Sequence, residues 1–407
     1  MSTTPPLTYL DNNATTQVSE GVLDAMLPFY RQTYGNPSSM HRFGGEVGLA
    51  IKQARYEVAA LIGAEPTEVV FTSCGSEGNN SAIRSAVATM AGRRRIITTA
   101  VEHPCVLNVC RQLEKEGYDL VVIGVDGHGQ LDLVQLAEAL RTPTALVSTM
   151  AANNETGVTF PLEQIGELVK EAGALWHVDA VQMVGKAPID LRSLPVDLLT
   201  LSAHKIHGPK GVGALYLRRG VRFQPFLLGG HQERGRRAGT ENVAGVVGLG
   251  QAASEAREAL QTGASAAVGV LRDRLEVGLQ ALISDCVVNG VGTSRLANTS
   301  NIGFKYIEGE SILFSLDSFG ICASSGSACT SGSLEASHVL RAMAVPYTTL
   351  HGSIRFSLSR FTTAEEVDRV LELMPGVVQR LRDLSPFSDD DVAWLKQMEL
   401  APTNPKE

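Results

Sequence analysis

The 407 residues are 44% apolar and 19% charged, an ordinary soluble composition with length for roughly two or three domain-sized units. A formal net charge of −8 excludes a broad basic surface for nucleic acid. Six cysteines are too sparse for a disulfide framework, so they are expected to be buried, catalytic or metal-binding.

The opening Met-Ser-Thr-Thr-Pro-Pro-Leu lacks the basic and apolar regions of a secretory signal, and no stretch approaches the ~20 unbroken apolar residues of a membrane span. The expectation is a cytoplasmic protein with no membrane partner. Val47, Ala50, Ala54, Val58 and Leu61 recur at helical spacing between Glu46 and Leu61. A strand Val69–Thr72 and a helix Glu77–Met90 follow. Further strands are expected at Ile96–Thr98, Val121–Ile123, Ala145–Ser148, Leu175–Val178 and Leu198–Leu201. These runs are almost wholly apolar, as strands covered on both faces should be. Alternation of strand and helix predicts an α/β fold with a mainly parallel sheet.

From about Ala252 a long Ala-rich helical stretch runs to Leu282. A strand Ile354–Ser357 and a helix opened by the capping box Thr363-Ala364-Glu365-Glu366 follow. The reading is a large domain over residues 15–252, and a smaller α+β domain from 1–14 and 253–390. A tail over 391–407, following the Ser388–Asp391 acidic run, is expected to fray.

Parallel sheets bind ligands beyond the carboxyl ends of their strands, and here those ends are polar. Ser202-Ala203-His204-Lys205 follows one strand and Asp179 ends the one before it. Alone, Lys205 reads as a loop lysine and Asp179 as a helix cap. Together they supply the lysine nucleophile and the pyridine-nitrogen carboxylate that pyridoxal phosphate (PLP) requires. Cys74-Gly75-Ser76-Glu77, between strand and helix, is a weak phosphate-cradle signal, with Ser202 and His204 as further candidates. His103, after Glu102, could stack on a ring and carry protons, or simply cap a helix.

Cys329 lies in a run of small residues, Ala323 to Ser333, which suits a thiol on a loop better than a core cysteine. Cys105 and Cys110 near His103 read as core packing rather than a metal site, and His204 and His207 lack companions at zinc spacing. The basic run Glu233-Arg234-Gly235-Arg236-Arg237 reads as a loop, interface or anion contact.

Several stretches, in order from about residue 9 to 385, resemble the NifS/IscS cysteine desulfurases, closer to NifS. They are Tyr9–Thr16, Gly35–Ser39, Asn153–Gly157, His177–Gln182, Ser202–Lys205, Arg237–Asn242, Ser324–Cys329 and Ile354–Ser357. The resemblance implies a fold-type I PLP-dependent homodimer that converts L-cysteine to L-alanine. It implies Lys205 as the cofactor-bonding lysine, Asp179 at the pyridine nitrogen, Gln182 at the ring hydroxyl and His103 over the ring. Gly75, Ser76, Ser202 and His204 fall at the phosphate, with Thr240 reaching from the other subunit. Asn154 falls at both the cofactor and the substrate, and Asn13 and Arg355 fall at the substrate, Arg355 as its carboxylate anchor.

Cys329 matches the persulfide cysteine, which hands sulfur to an Fe–S scaffold of the NifU/IscU type and could share a cluster ligand role with it. The NifS likeness implies nitrogenase assembly as that job. Two departures stand out: Ser76 where Thr is usual, and Glu77-Gly78-Asn79-Asn80 where Glu-Ser-Asp-Asn is usual, with Gly78 expected to weaken the helix start by up to ~1 kcal/mol. An aminotransferase would share Lys205 and Asp179 without needing Cys329. A selenocysteine lyase would not depend on it for selenocysteine, and a non-catalytic sulfur carrier would bind no PLP.

Overall fold

The computed structural model describes residues 5–325 and 336–386. Cys329 and the 391–407 tail lie outside these residues. The first half carries β1 (Thr8–Tyr9), β2 (Val69–Thr72), β3 (Arg95–Thr99), β4 (Asp119–Ile123), β5 (Thr144–Met150), β6 (Leu175–Asp179), β7 (Leu198–Ser202) and β8 (Gly213–Leu217). Then come β9 (Cys286–Val288), β10 (Thr299–Phe304), β11 (Ile321–Cys322), β12 (Ser324–Ser325) and β13 (Ser353–Ser357).

Seven strands form one sheet in the order β2-β8-β7-β6-β5-β3-β4. Only β8 runs against the rest, pairing antiparallel with both β2 and β7. β3 continues to β4 on its outer side, while β5, β6 and β7 step away on its other side. The order therefore reverses between β3 and β5, which is where an open α/β sheet leaves a crevice.

Successive strand residues enter opposite cores. Val70, Ile96, Leu146, Leu198 and Leu215 pack with the helices Gly75–Thr89 and Pro104–Lys115. Phe71, Ile97, Val147, Leu199 and Tyr216 pack on the other face with helices such as Arg42–Ile62 and Val243–Gln261. This is the period of two of a sheet covered twice. β4 departs from the expectation of full burial: it is the sheet edge, and its Val122 is exposed.

Gly78 is explained by packing. A Cβ there would stand 2.6 Å from Thr200 Cγ2, so glycine lets the helix Gly75–Thr89 approach β7 closely. The Ala-rich stretch is two helices, not one. Val243–Gln261 and Ala264–Leu282 are separated at Gly263, which takes the left-handed conformation (φ 79°).

A second sheet, β12-β13-β10-β9, is covered by Ala264–Leu282, Gly309–Ser318 and Ala364–Leu384 around a core including Phe304, Phe356 and Val370. Thr363 and Glu366 make both bonds of the expected capping box. β1 pairs with β11, and Leu10 adds to this second core. The next residues, Asp11 to Ala14, bond to β13 and then enter the space above the large sheet.

Part of the basic run is used in internal ion pairs. Glu233 is buried and takes both terminal nitrogens of Arg55, at 2.7 and 2.6 Å, while Arg237 pairs with Glu77.

Candidate active site

A cavity of about 330 Å³ opens at the carboxyl ends of the parallel strands. It is lined by Asn13, Gly75, Ser76, His103, Asn154, Asp179, Gln182, Ser202, His204, Lys205 and Arg355, all anticipated from sequence. Thr240 is exposed and does not line it.

Asp179 closes β6, level with Met150 of β5 and Thr200 of β7. Its carboxylate accepts from Val181 N at 3.0 Å and from Asn79 Nδ2 at 2.7 Å. Burial raises its pKa, opposed by these bonds and by His103 and Lys205. Lys205 ends the single turn that follows β7, and its Nζ donates to the carbonyls of Asn13 and, at 2.8 Å, Ala14. Ser202 Oγ, at the end of β7, is buried and has no hydrogen-bond partner among the described residues. His204 Nδ1 lies 3.2 Å from Thr15 Oγ1, and burial pushes the ring down to about 4.

His103 caps the helix Pro104–Lys115. Its Nδ1 accepts from Cys105 N at 3.2 Å, so the neutral ring carries its proton on Nε2. Burial lowers its pKa, Asp179 works against that, and Lys205 adds to it. Gly75 and Ser76 open the helix Gly75–Thr89, whose cap residue Cys74 makes no side-chain bond to it. A Cβ on Gly75 would lie 2.9 Å from Val181 Cγ2.

The opposite wall comes from the second sheet and the N-terminal segment. Arg355, on β13, donates to Asn154 O at 3.1 Å and pairs with Asp11 at 2.7 Å. Its Nε is buried without a partner among the described residues. Asn154 rides on a turn organised by Asn153 Oδ1, which accepts from the amides of Glu155 and Thr156. That turn closes at Gly157 (φ 78°), where a Cβ would meet Thr299 at 2.8 Å.

Cys105 extends its sequence reading as core: it packs against that apolar cluster and lines the cavity as well. Cys110 is buried among Val106, Val109 and Leu113, but Cys105 lines the cavity with Sγ 2.9 Å from His103 Nδ1. Burial, then Asp179, pushes its thiol up to about 12. Asn79, Lys186 and Asp11 were not singled out. Asn79 had a signal: it shares a helix face with Gly75 and Ser76. Among the described residues no cluster of His, Cys, Asp and Glu could hold a metal.

The class-V aminotransferase model matches residues 8–370. The chain is 64% identical to cysteine desulfurase 2 of Trichormus variabilis, over 97% of this chain and 98% of that one. It is 54% identical to the cysteine desulfurase NifS of Azotobacter vinelandii, over 93% and 94%. A solved NifS-like protein superposes with a TM-score of 0.86 at 39% identity, covering 92% of this chain and all of that one. The chain belongs to the class-V aminotransferase family, among its cysteine desulfurases.

Class-V aminotransferases depend on PLP and share the fold-type I architecture, here with its mainly parallel sheet. The cavity fits that cofactor. Asp179 is a buried carboxylate with no salt bridge among the described residues, suited to a pyridinium N–H. The unpartnered Ser202 Oγ and the helix start at Gly75, uncapped by any side chain, suit a phosphate.

Proposed function

We propose that this chain takes the sulfur of L-cysteine onto Cys329 as a persulfide, releases L-alanine, and passes the sulfur to an Fe–S scaffold protein of the NifU/IscU type. We assign the pathway to nitrogenase assembly in the cytoplasm. The activity is that of a PLP-dependent cysteine desulfurase. The observation that carries the reading is the meeting of Asp179, Lys205 and Arg355 in one cavity, two from adjacent parallel strands and one from the second sheet.

When bound, PLP supplies an electron sink for the pair left at the substrate α-carbon. Asp179 would hold it at the pyridine nitrogen and Gln182 at the ring hydroxyl. Gly75, Ser76, Ser202 and His204 would hold the phosphate, and His103 would cover the ring. Arg355, with Asn154 and Asn13, would fix the substrate carboxylate and so the orientation of the α-hydrogen. Lys205 would move that proton, with the Nε2 side of His103 as the second acid/base.

The Cys329 thiolate forms an S–S bond to the substrate sulfur. The Cβ–S bond breaks, its electron pair stays with carbon, and a proton completes alanine. Thr240, exposed on its own chain, would serve the phosphate of a second copy, so the working unit is a homodimer. We take residues 15–252 as the cofactor-binding domain and 1–14 with 253–390 as the smaller one.

The test adds L-cysteine and a reductant to the PLP-loaded protein and measures sulfide and alanine together. Equal yields that disappear in Cys329→Ala support the reading. Products that persist in the variant indicate a lyase without a persulfide. Absence of both products from the wild type overturns desulfuration.

A further inference from the structure

Lys186 lies four residues beyond Gln182, in the turns after β6, with its amine buried beside the cavity wall. Its Nζ is 2.8 Å from Gln182 Oε1 and 3.0 Å from Asn13 Oδ1. The Lys186 amine donates to the oxygen end of the Gln182 amide. Gln182 therefore points Nε2 the other way, where it donates to the carbonyl of Asn13 at 3.0 Å. A flipped Gln182 would set its oxygen against the Asn13 carbonyl, acceptor facing acceptor.

Asn13 is oriented by the same lysine. Its Oδ1 accepts from Lys186 and from Asn298 Nδ2, and its Nδ2 donates to Thr299 Oγ1 and to Asn154 O. One amine thus bonds the oxygen ends of two amides that line the cavity. The charged and titratable groups that share its field are Lys205, Arg355, His204 and His207, none of them acidic. The contacts of Lys186 are thus amide oxygens, and its role follows from what those amides do.

Resting on the desulfurase reading above, we propose that Lys186 is a positioning residue for the cofactor's ring oxygen, holding Gln182 so that an Nε2–H faces that oxygen. One Nε2 hydrogen is used by the Asn13 carbonyl, and the second is left for the ring. A donor there stabilises the anionic ring oxygen. It therefore lowers the pH at which the lysine-bound cofactor loses its proton.

The experiment titrates the visible absorbance of the PLP-loaded protein in wild type, Lys186→Met, Gln182→Ala and the double variant. Lys186→Met is expected to raise the midpoint by about one pH unit, a tenfold change in the equilibrium. In the Gln182→Ala background the same substitution should raise it much less, because the two residues act through one contact. An equal rise in both backgrounds makes Lys186 a remote charge and overturns the proposal, as does no rise at all.

Lys186→Gln, which returns an N–H donor on a shorter side chain, should fall between wild type and Lys186→Met. Failure of both Lys186 variants to fold makes the lysine structural and overturns the positioning role. A wild type that binds no PLP sinks the cofactor reading itself, a separate outcome visible before any variant is made.

Discussion

Asp179, Ser202 and Lys205 stand where backbone ladders end, whereas Arg355 lines the same cavity held by Asp11, a side-chain pair 344 residues apart in sequence. On the first side, position comes from main-chain pairing that does not depend on the functional side chain. On the second, Arg355, Asp11, Asn13 and Asn154 hold one another through a guanidinium, a carboxylate, an amide and carbonyls. The strand-end wall should therefore separate function from stability, and the assembled wall should not.

The largest effects test that separation directly. Lys205→Ala removes the proposed proton carrier and should lower turnover by about 10²–10⁴-fold or more. The melting temperature of the cofactor-free protein should fall less than in Arg355→Ala, because the turn after β7 remains although the Nζ bonds to the carbonyls of Asn13 and Ala14 are lost. Arg355→Ala should raise KM for L-cysteine by about tenfold or more, the loss of charged hydrogen bonds of about 1.5–3 kcal/mol. It should also lower the melting temperature, because Asp11 loses its guanidinium in a mostly buried site. Asp11 retains some exposure, so about 3 kcal/mol is an upper figure. Equal destabilisation by both variants would break the comparison.

A second test uses pH. Glu102 follows β3, on the strand-end side. Thr99 and the Met150 amide bond one oxygen, and the other oxygen has no partner among the described residues. Burial without a cation pushes its pKa up from 4.5 to about 8. The folded state then holds this proton more tightly than the unfolded chain. Its contribution to stability is full below pH 4.5 and is lost as pH rises through about 8. Glu102→Gln is neutral throughout. Across pH 5.5 to 8.5 its melting curve should fall less steeply than the wild type's and lie above it at the alkaline end. Glu155, raised to about 7 by burial, is common to both proteins and does not confuse the difference. Parallel curves would show that Glu102 is not the titrating group.

The same division explains what could be read from the sequence. Strand-end residues were legible because an apolar run followed abruptly by Asp179 or by Ser202–Lys205 has few other uses in a sheet covered on both faces. Arg355 and Asn13 came from motif resemblance, since nothing local in Ile354-Arg355-Phe356 says which way the guanidinium faces. Asp11 and Lys186 were passed over because their partners, Arg355, Asn13 and Gln182, meet only after the second sheet is placed. Gly78 read as a flaw when taken along the helix and became a contact only once Thr200 stood opposite. The break at Gly263 was missed because one glycine inside a helical pattern is a weak stop signal.

The smallest expected effect belongs to Cys105, and it sharpens the comparison at the strand-end wall. The cavity side of Cys105 was missed because Val106 and Val109 pull the helix toward the core, yet its own first-turn position also puts Sγ in the cavity. Alanine there keeps the backbone N–H that fixes the His103 tautomer, which is the main-chain part of the design. It loses the thiol beside Nδ1, held neutral by a pKa of about 12 and therefore at most a weak donor, and with it the Sγ acceptor for Asn79 Nδ2. Removing that donor eases protonation of Nδ1 and admits water to a buried ring, and both raise the His103 pKa. The acid limb of kcat/KM should move up by less than about one unit, with activity above pH 8 within about threefold of wild type. A loss of about 100-fold in Cys105→Ala would mean that a side chain, not the backbone cap, aligns His103, and the distinction between the two walls would fail at its clearest point.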